Sequence, residues 1–182
     1  MDFRDLVKAR QSVRQYSSQP VENEKLDVCL EAARLAPSAS NSQPWTFIVI
    51  QDPDMVARVA EQARGPLGTF NTFVSKAPVI VAIVMEKMKV FTKIGAEIKD
   101  KEYPLIDIGI AAEHICLQAA ELGLGTCMLG WFDEKATRKL LNVPGKKRIV
   151  LLITIGYAPD GYKLRTKIRK TREEVIRFDK YE

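Results

Sequence analysis

Apolar residues recur along this chain at two periods, one typical of helices and the other of strands. Helical spacing predicts helices over residues 2–9, 23–36, 52–63, 105–122 and 133–141. The 105–122 segment is apolar almost all round, which predicts that this helix is buried. It is followed by Gly123, a residue suited to closing a helix C-terminus.

Shorter runs rich in β-branched residues predict strands at Thr46–Gln51, Val79–Met85, Gly125–Leu129 and Ile149–Gly156. The second and fourth runs are continuously apolar, as in strands that helices cover on both faces. Because helices and strands are interleaved, we predict an α+β fold with an antiparallel or mixed sheet. Residues 86–104 are amphipathic and weakly patterned, which favours a surface helix or a lid. Since no repeat or linker interrupts the pattern, residues 1–182 are predicted to form one domain.

The composition is that of an ordinary globular protein, with 46% hydrophobic and 28% charged residues. The N-terminus is charged from its second residue and has no apolar signal segment. The most apolar stretch, Ala77–Met85, is far shorter than the roughly 20 residues of a membrane-spanning helix. We therefore predict a cytoplasmic protein that does not associate with membranes.

Cysteine and histidine usage narrows the possible chemistry. The three cysteines, Cys29, Cys116 and Cys127, form no CxxC pair and have apolar neighbours, which favours buried thiols over disulfides. His114 is the single histidine, so His-rich metal sites lack ligands, and a plain core or interface role is preferred to a Ser–His–Asp triad. If the protein is an enzyme, an organic cofactor is expected to supply the chemistry.

The net charge of +5 is concentrated in one short segment near the C-terminus. Its six basic residues are Lys163, Arg165, Lys167, Arg169, Lys170 and Arg172. A basic tail also suits nucleic acid, but this one lacks the interleaved aromatic residues of single-strand binders. We therefore predict a local anionic ligand and no nucleic-acid partner.

Two polar segments are candidates for ligand contacts. Arg10-Gln-Ser-Val-Arg14 offers two guanidinium groups and a hydroxyl, which suit a phosphate, although a solvated surface string has the same composition. The loop Ala36–Trp45 is bracketed by prolines and rich in amide and hydroxyl donors, which suit the edge of a polar planar ligand. The alternative is a simple connection, although such connections usually have about 2–6 residues.

The glycines of Gly123–Gly130 do not form a dinucleotide-binding fingerprint. The third glycine would fall at Met128, and the segment follows a helix and leads into a strand, the reverse of the required order. A helix end followed by a buried strand fits better. Gly130, at the end of that strand, would let a flat ligand approach the backbone.

Together these motifs resemble the FMN-dependent nitroreductase family over nearly the whole chain. The matching motifs are R-x-S-x-R at Arg10–Arg14, P-S-x-x-N-x-Q-P-W at Pro37–Trp45, a glycine-ended strand at Leu129-Gly130 and K-x-R at Lys167–Arg169. Each motif alone is weak, whereas four in family order are strong. The resemblance implies a three-layer α-β-α fold whose central sheet is mixed but mostly antiparallel. It also implies a homodimer that exchanges C-terminal strands and binds FMN between its subunits.

The resemblance also implies roles for individual residues. The FMN phosphate would be held by Arg10, Ser12, Lys167 and Arg169. The pyrimidine end of the flavin ring would be contacted by Arg14 and Asn71. Flavin N5 would face the amide of Gly130, with Leu129 beside it. The flavin would be contacted from the partner chain by the loop residues Pro37, Ser38 and Ala39, and Asn41 is a further expected cofactor-binding residue. Substrate contacts are expected from Phe70, Phe91 and Tyr103.

The implied activity is that of an FMN-dependent oxidoreductase that takes electrons from NAD(P)H and reduces nitroaromatics, quinones or related electrophiles by a ping-pong mechanism. Alternatives are a relative with dehalogenase or dehydrogenase activity, and a non-enzymatic flavin carrier or sensor. The chain departs from common family residues at three positions. Ala39 replaces a second serine, Leu129 an acidic residue of larger members, and Val74 a lysine. These departures leave the electron donor and the substrate open.

Overall fold

The computed structural model describes residues 1–65, 68–87 and 102–181. Helices, in chain order, are α1 Phe3–Ala9, α2 Asn23–Arg34, α3 Pro53–Gln62, α4 Tyr103–Glu121, α5 Glu134–Leu140 and the single turn α6 Arg172–Val175. Strands are β1 Trp45–Ile50, β2 Val79–Met85, β3 Gly125–Leu129 and β4 Arg148–Gly156. Short 3₁₀ helices span Ala39–Asn41 and Thr72–Lys76. The five predicted helices and four predicted strands are confirmed to within two residues at each end. Residues 88–101 of the predicted lid lie outside the described residues, and Tyr103 and Pro104 belong to α4.

The described strands form one sheet in the order β1-β2-β4-β3, and every pair of neighbours is antiparallel. Parallel pairing in the described chain is limited to a single bridge between Ser12 and Thr126 at the free edge of β3. The continuously apolar strands β2 and β4 occupy the centre of the sheet, as predicted. The α+β class is therefore confirmed.

Alternate residues of β2 face two separate cores, which makes the fold three-layered. Val81 and Ile83 pack with α2 and α4 on one face of the sheet. Ala82 and Val84 pack with α3 on the opposite face, where Leu140 of α5 completes the layer. Both faces of the central strands are thus shielded from water.

The cysteines and the histidine have structural roles. Cys29, Cys116 and Cys127 are free and buried, and burial raises the pKa of Cys116 to about 12. The Nδ1 atom of His114 lies 2.9 Å from the carbonyl oxygen of Ala32, so this ring links α4 to α2. The predictions of core thiols and of a structural histidine are confirmed.

Helices α1 and α4 each leave apolar side chains exposed. Ile106 of α4 is 55% exposed, and Phe3 and Val7 of α1 are 69% and 45% exposed. The predicted burial of the 105–122 helix is therefore confirmed along one face, which includes Ile108 and Ile115, and not on the opposite face. The physical reason is geometric, because the sheet and α2 cover only one face of α4 and leave an apolar face open.

The C-terminal segment does not form a strand in the single chain. Thr171 and Glu174 make a reciprocal capping box that starts the helical turn α6, and the backbone becomes extended again at Ile176. Val175 and Phe178 are 62% and 76% exposed. Exchange of this segment between subunits stays a prediction. Within the described residues, no helix has both the length and the apolar character to cross a membrane.

Candidate functional site

The two basic motifs, far apart in sequence, meet at one surface pocket. The pocket has a volume of about 390 Å³ and is open to solvent. Its lining includes all five cationic or hydroxyl residues expected to hold the ligand's anionic and polar groups, namely Arg10, Ser12, Arg14, Lys167 and Arg169. Gln11, Arg165, Thr166 and Ile168 complete the lining. The structure therefore assembles the charge cluster that the sequence showed only as two separate strings.

Side-chain contacts with the backbone hold the two halves of this pocket together. The side-chain nitrogen of Gln11, Nε2, donates to the carbonyl of Lys163 at 3.3 Å. The side-chain oxygen, Oε1, accepts from the backbone N–H of Arg165 at 3.0 Å. In return, the Arg165 guanidinium donates to the carbonyl of Ser12, and the Lys167 ammonium donates to the carbonyl of Arg10. Gln11 stands at a variable position of R-x-S-x-R, so the motif gave no signal for its role.

The electrostatics of the pocket favour an anion. Burial lowers the pKa of Lys167, and the neighbouring charges of Arg10 and Arg169 lower it further. Glu113 of α4 offsets part of this charge, because its Oε1 lies 3.2 Å from the Nε of Arg10. A bound phosphate would relieve the remaining repulsion among the cations.

The pocket is attached to the edge strand β3. The backbone N–H of Val13 donates to the carbonyl of Thr126 at 2.8 Å, next to the Ser12–Thr126 bridge. Gly125 allows this close approach, because a Cβ at that position would lie 2.6 Å from the Cγ2 of Val13. The N-terminal half of the pocket therefore has a fixed position on the sheet.

A second candidate region lies at the other end of β3. Gly130 follows the strand four residues after Thr126, which at the usual rise per residue is a separation of about 13 Å. Gly130 is exposed, and a Cβ built on it would meet no atom within 4 Å. Packing of the described chain therefore does not require glycine here. Leu129 is buried, with only 5% exposure, and its side chain belongs to the core on the α3 face of the sheet.

Asn71, Phe70 and Trp131 surround Gly130. Asn71 has a left-handed backbone with φ 49°, and its side-chain nitrogen donates to the carbonyls of Ala63 at 3.2 Å and Trp131 at 3.4 Å. Its amide oxygen is thus the group that could accept from a ligand N–H. The rings of Phe70 and Trp131 lie 6.2 Å apart, and both side chains are more than half exposed. Trp131 was not singled out by any sequence motif, although a large aromatic residue directly after the glycine was the available signal.

The proline-bracketed loop lies apart from the basic pocket, since none of Pro37, Ser38, Ala39 or Asn41 is among the residues that line the pocket. The loop contains three non-glycine residues with left-handed backbone, Ser40, Asn41 and Gln43, at φ 51°, 50° and 47°. The Ser38 hydroxyl oxygen accepts from the N–H of Gln43 at 2.9 Å. Such backbone strain concentrates at functional sites, where the surrounding structure maintains it.

Asp107 of α4 forms a hydrogen bond to this loop. The backbone N–H of Ala39 lies 3.1 and 3.2 Å from its two carboxylate oxygens. The side chain is buried, with 4% exposure, and burial raises the pKa of its carboxyl group. Sequence reasoning missed Asp107. The signal was a lone acidic residue between Ile106 and Ile108 in an otherwise apolar run.

The structure describes two of the three predicted substrate residues. Phe70 lies against the ring of Trp131, the residue that follows Gly130. Tyr103 is the first residue of α4, one helical turn before Asp107, and so belongs to the region of the loop. Phe91 lies outside the described residues.

Comparison with known proteins decides the family. The sequence model of the Nitroreductase family matches residues 7–157 of the chain. The chain belongs to the nitroreductase family. It is accordingly an oxidoreductase, and the matched region contains the Arg10–Arg14 motif, the loop, Asn71 and Gly130, but not the basic segment at residues 163–172.

Several relatives of this nitroreductase-family chain resemble it over most of their length. A protein of Archaeoglobus fulgidus, provisionally named NADH dehydrogenase/NAD(P)H nitroreductase, is 31% identical over 85% of this chain and 84% of its own. The solved structure of an FMN-dependent nitroreductase from Clostridium difficile is 30% identical, covers 97% of this chain and 98% of its own, and superposes with a TM-score of 0.79. An iodotyrosine deiodinase of Thermotoga neapolitana is 27% identical over 94% of each chain.

Proposed function

We propose that this protein is an FMN-dependent oxidoreductase that uses NAD(P)H to reduce nitroaromatics, quinones or related electrophiles. The observation that carries the proposal is the basic pocket on β3, in line with an exposed glycine at the end of the same strand. One elongated ligand with a phosphate at one end and a flat ring at the other suits both features. The C. difficile relative described as FMN-dependent supports the choice of FMN.

The residues present fit FMN in charge and in shape. Arg10, Ser12, Lys167 and Arg169 would bind the phosphate, since they line one anion-favouring pocket. Gly130 would lie under the ring, because nothing within 4 Å occupies the space above its Cα. Further contacts to the ring would come from Asn71, through its free amide oxygen, and from Arg14.

Bound FMN would supply the redox chemistry between NAD(P)H and the oxidant. The protein binds and orients these molecules. The backbone N–H of Gly130 would donate to the ring at N5. The Arg14 guanidinium would stabilise the negative charge that accumulates on the pyrimidine end after reduction.

We propose further that residues 1–182 form one FMN-binding domain and that two copies pair around the cofactor. Two features support pairing. The strained loop at 37–43 contributes nothing to the basic pocket of its own chain, and the apolar faces of α1 and α4 are left open at Phe3, Val7 and Ile106. In the dimer, Pro37, Ser38, Ala39 and Asn41 would contact the partner's FMN. A cytoplasmic location stays a prediction.

Reductive dehalogenation is the second candidate function. It is favoured by the similarity to the T. neapolitana iodotyrosine deiodinase over 94% of each chain. The same FMN site would serve this reaction, because the difference lies in the oxidant rather than in the cofactor. Measurement of iodide release from iodotyrosine by the reduced protein separates the two activities.

Anaerobic reduction tests the proposed function directly. The purified protein is expected to show flavin absorption bands, and these should bleach when NADH or NADPH is added without oxygen. With a quinone or a nitroaromatic as oxidant, double-reciprocal plots at several donor concentrations should give parallel lines. A yellow protein that keeps its colour for minutes under excess NADH and NADPH would contradict the proposal and favour a flavin carrier or sensor.

A pair of glycine substitutions separates cofactor binding from packing. Gly130→Ala is expected to weaken FMN binding at an unchanged melting temperature of the apoprotein, because the new methyl group meets no protein atom. Gly125→Ala is the matched control, and overpacking against Val13 should destabilise the fold by about 1–3 kcal/mol. Thermal unfolding and FMN titration of both variants check the prediction. Unchanged FMN affinity in Gly130→Ala would remove Gly130 from the proposed site.

A further inference from the structure

Asp107 is a buried carboxylate in a position where the fold has no need of one. It lies on the covered face of α4, between Pro104 and Ile108, and is 4% exposed. Removing a carboxylate from water is unfavourable, and an apolar side chain of similar size usually packs as well or better. Its recorded hydrogen bond in the described chain is to the backbone N–H of Ala39. The loop that contains Ala39 is therefore the place to look for its role.

Asp107 makes the hydrogen bond that joins this loop to another element of the described chain. The other recorded hydrogen bonds of residues 38–43 in the described chain stay within residues 38–45. They shape the loop but do not fix its position. The left-handed backbone at Ser40, Asn41 and Gln43 is unfavourable for non-glycine residues, so the loop needs outside support to stay in this conformation.

The geometry points to Asp107 as a positioning residue for FMN: it fixes the amide of Ala39, and with it the strained loop, in the shape that completes the cofactor site of the partner subunit. This inference rests on the proposed function, because it requires both FMN and the dimer. Asp107 would not touch the cofactor itself. The raised pKa that burial causes at Asp107 agrees with a group kept despite its cost to the fold.

Two substitutions at Asp107 distinguish a positioning role from a packing role. Asp107→Asn keeps an acceptor oxygen for the Ala39 N–H, whereas Asp107→Leu keeps the branched shape with two bulkier methyl groups and removes both the acceptor and the charge. If Asp107 only packed, leucine would be tolerated, since it removes a buried charge. If Asp107 positions the loop, Asp107→Leu should weaken FMN binding while the apoprotein remains as stable as before, and asparagine should restore binding.

The first measurement is FMN affinity, from quenching of FMN fluorescence, alongside the melting temperature of each apoprotein. Asp107→Asn is expected to bind FMN within about threefold of wild type and Asp107→Leu about tenfold or more weakly, the usual effect of losing one hydrogen bond. Wild-type affinity in Asp107→Leu would overturn the inference. If Asp107→Leu fails to fold, Ala39→Pro removes the N–H donor instead, and the extended backbone of Ser38 (φ −147°, ψ 155°) accepts a following proline.

Mixed dimers test whether the loop acts on the partner's site. A subunit with Asp107→Leu has an intact phosphate pocket and a defective loop. A subunit with Arg10→Ala and Arg169→Ala has a defective phosphate pocket and an intact loop. A heterodimer of the two, purified through different tags, should contain one FMN site of wild-type affinity built from the two intact halves. A heterodimer without a tight site would refute action between subunits. Wild-type protein that binds no FMN would instead refute the proposed function, so the two failures are distinguishable.

Discussion

Replacing both Arg10 and Arg169 with alanine is expected to lower FMN affinity about a hundredfold or more. Each guanidinium lines the basic pocket, and each charge-assisted contact to a phosphate contributes about 1.5–3 kcal/mol. Either single substitution should therefore cost about tenfold, and added salt should weaken FMN binding to the wild-type protein. Titration of the apoprotein with FMN at low and high ionic strength measures both effects.

The matched control is the double substitution of Lys170 and Arg172 with alanine. It removes the same net charge and lies next to Arg169 in the chain, but neither residue lines the pocket. This control should bind FMN with nearly wild-type affinity. Equal losses in the two double variants would mean that general positive charge, rather than the pocket, attracts FMN. Unchanged affinity in Arg10→Ala alone would contradict its assignment to the phosphate.

Ending the chain after Thr171 is expected to abolish the dimer and FMN binding together. The deleted segment carries apolar residues at Val175, Ile176 and Phe178 that are 62%, 38% and 76% exposed in the single chain. In the described sheet, β1 is an edge strand, whereas the edge of β3 is partly covered by Ser12. A groove of about 410 Å³ beside β1, lined in part by Ile48, Ile50 and Leu141, is ready for apolar side chains. If this segment of the partner subunit paired with β1 as an added strand, it would cover both the edge of β1 and its own apolar side chains.

Gel filtration and FMN titration check this outcome. A chain that ends after Phe178 is the control, because it keeps the three apolar residues and loses only the last four, Asp179–Glu182. The control should remain a dimer that binds FMN. If the protein ending at Thr171 is a monomer that still binds one FMN per chain, the site is complete within one subunit and the proposed architecture is wrong.

The elements of the fold could be predicted because their signals are local. The two hydrophobic periods and the glycine after α4 depend on neighbouring residues alone, and each was confirmed. The side chains of Asp52 and Asp133, which cap α3 and α5 in the structure, likewise act on residues within one helical turn. The exposure of α4 could not be predicted in the same way. How much of an apolar helix is covered depends on which other elements reach it, and the described chain covers one face only.

The residues of the candidate site could likewise be predicted only in part from the sequence. Arg10, Ser12, Lys167 and Arg169 could be grouped only through the resemblance to the nitroreductase family, because charge alone indicated an anion near the C-terminal basic segment and not which other residues would meet it. Their supports could not, since Gln11 and Asp107 act through hydrogen bonds to residues 152 and 68 positions away. Only a folded backbone shows that an ordinary glutamine and a lone aspartate are the residues that hold the pocket and the loop in place.

The attachment of the basic pocket to β3 has a consequence for solubility. The Ser12–Thr126 bridge covers only the beginning of the free edge of β3. Towards Gly130, FMN in the proposed orientation would lie along the edge. Exposed strand edges are templates for pairing between molecules, so the cofactor would also act as an edge cover. We expect the apoprotein to aggregate earlier on storage than the holoprotein, and added FMN to delay the onset of light scattering.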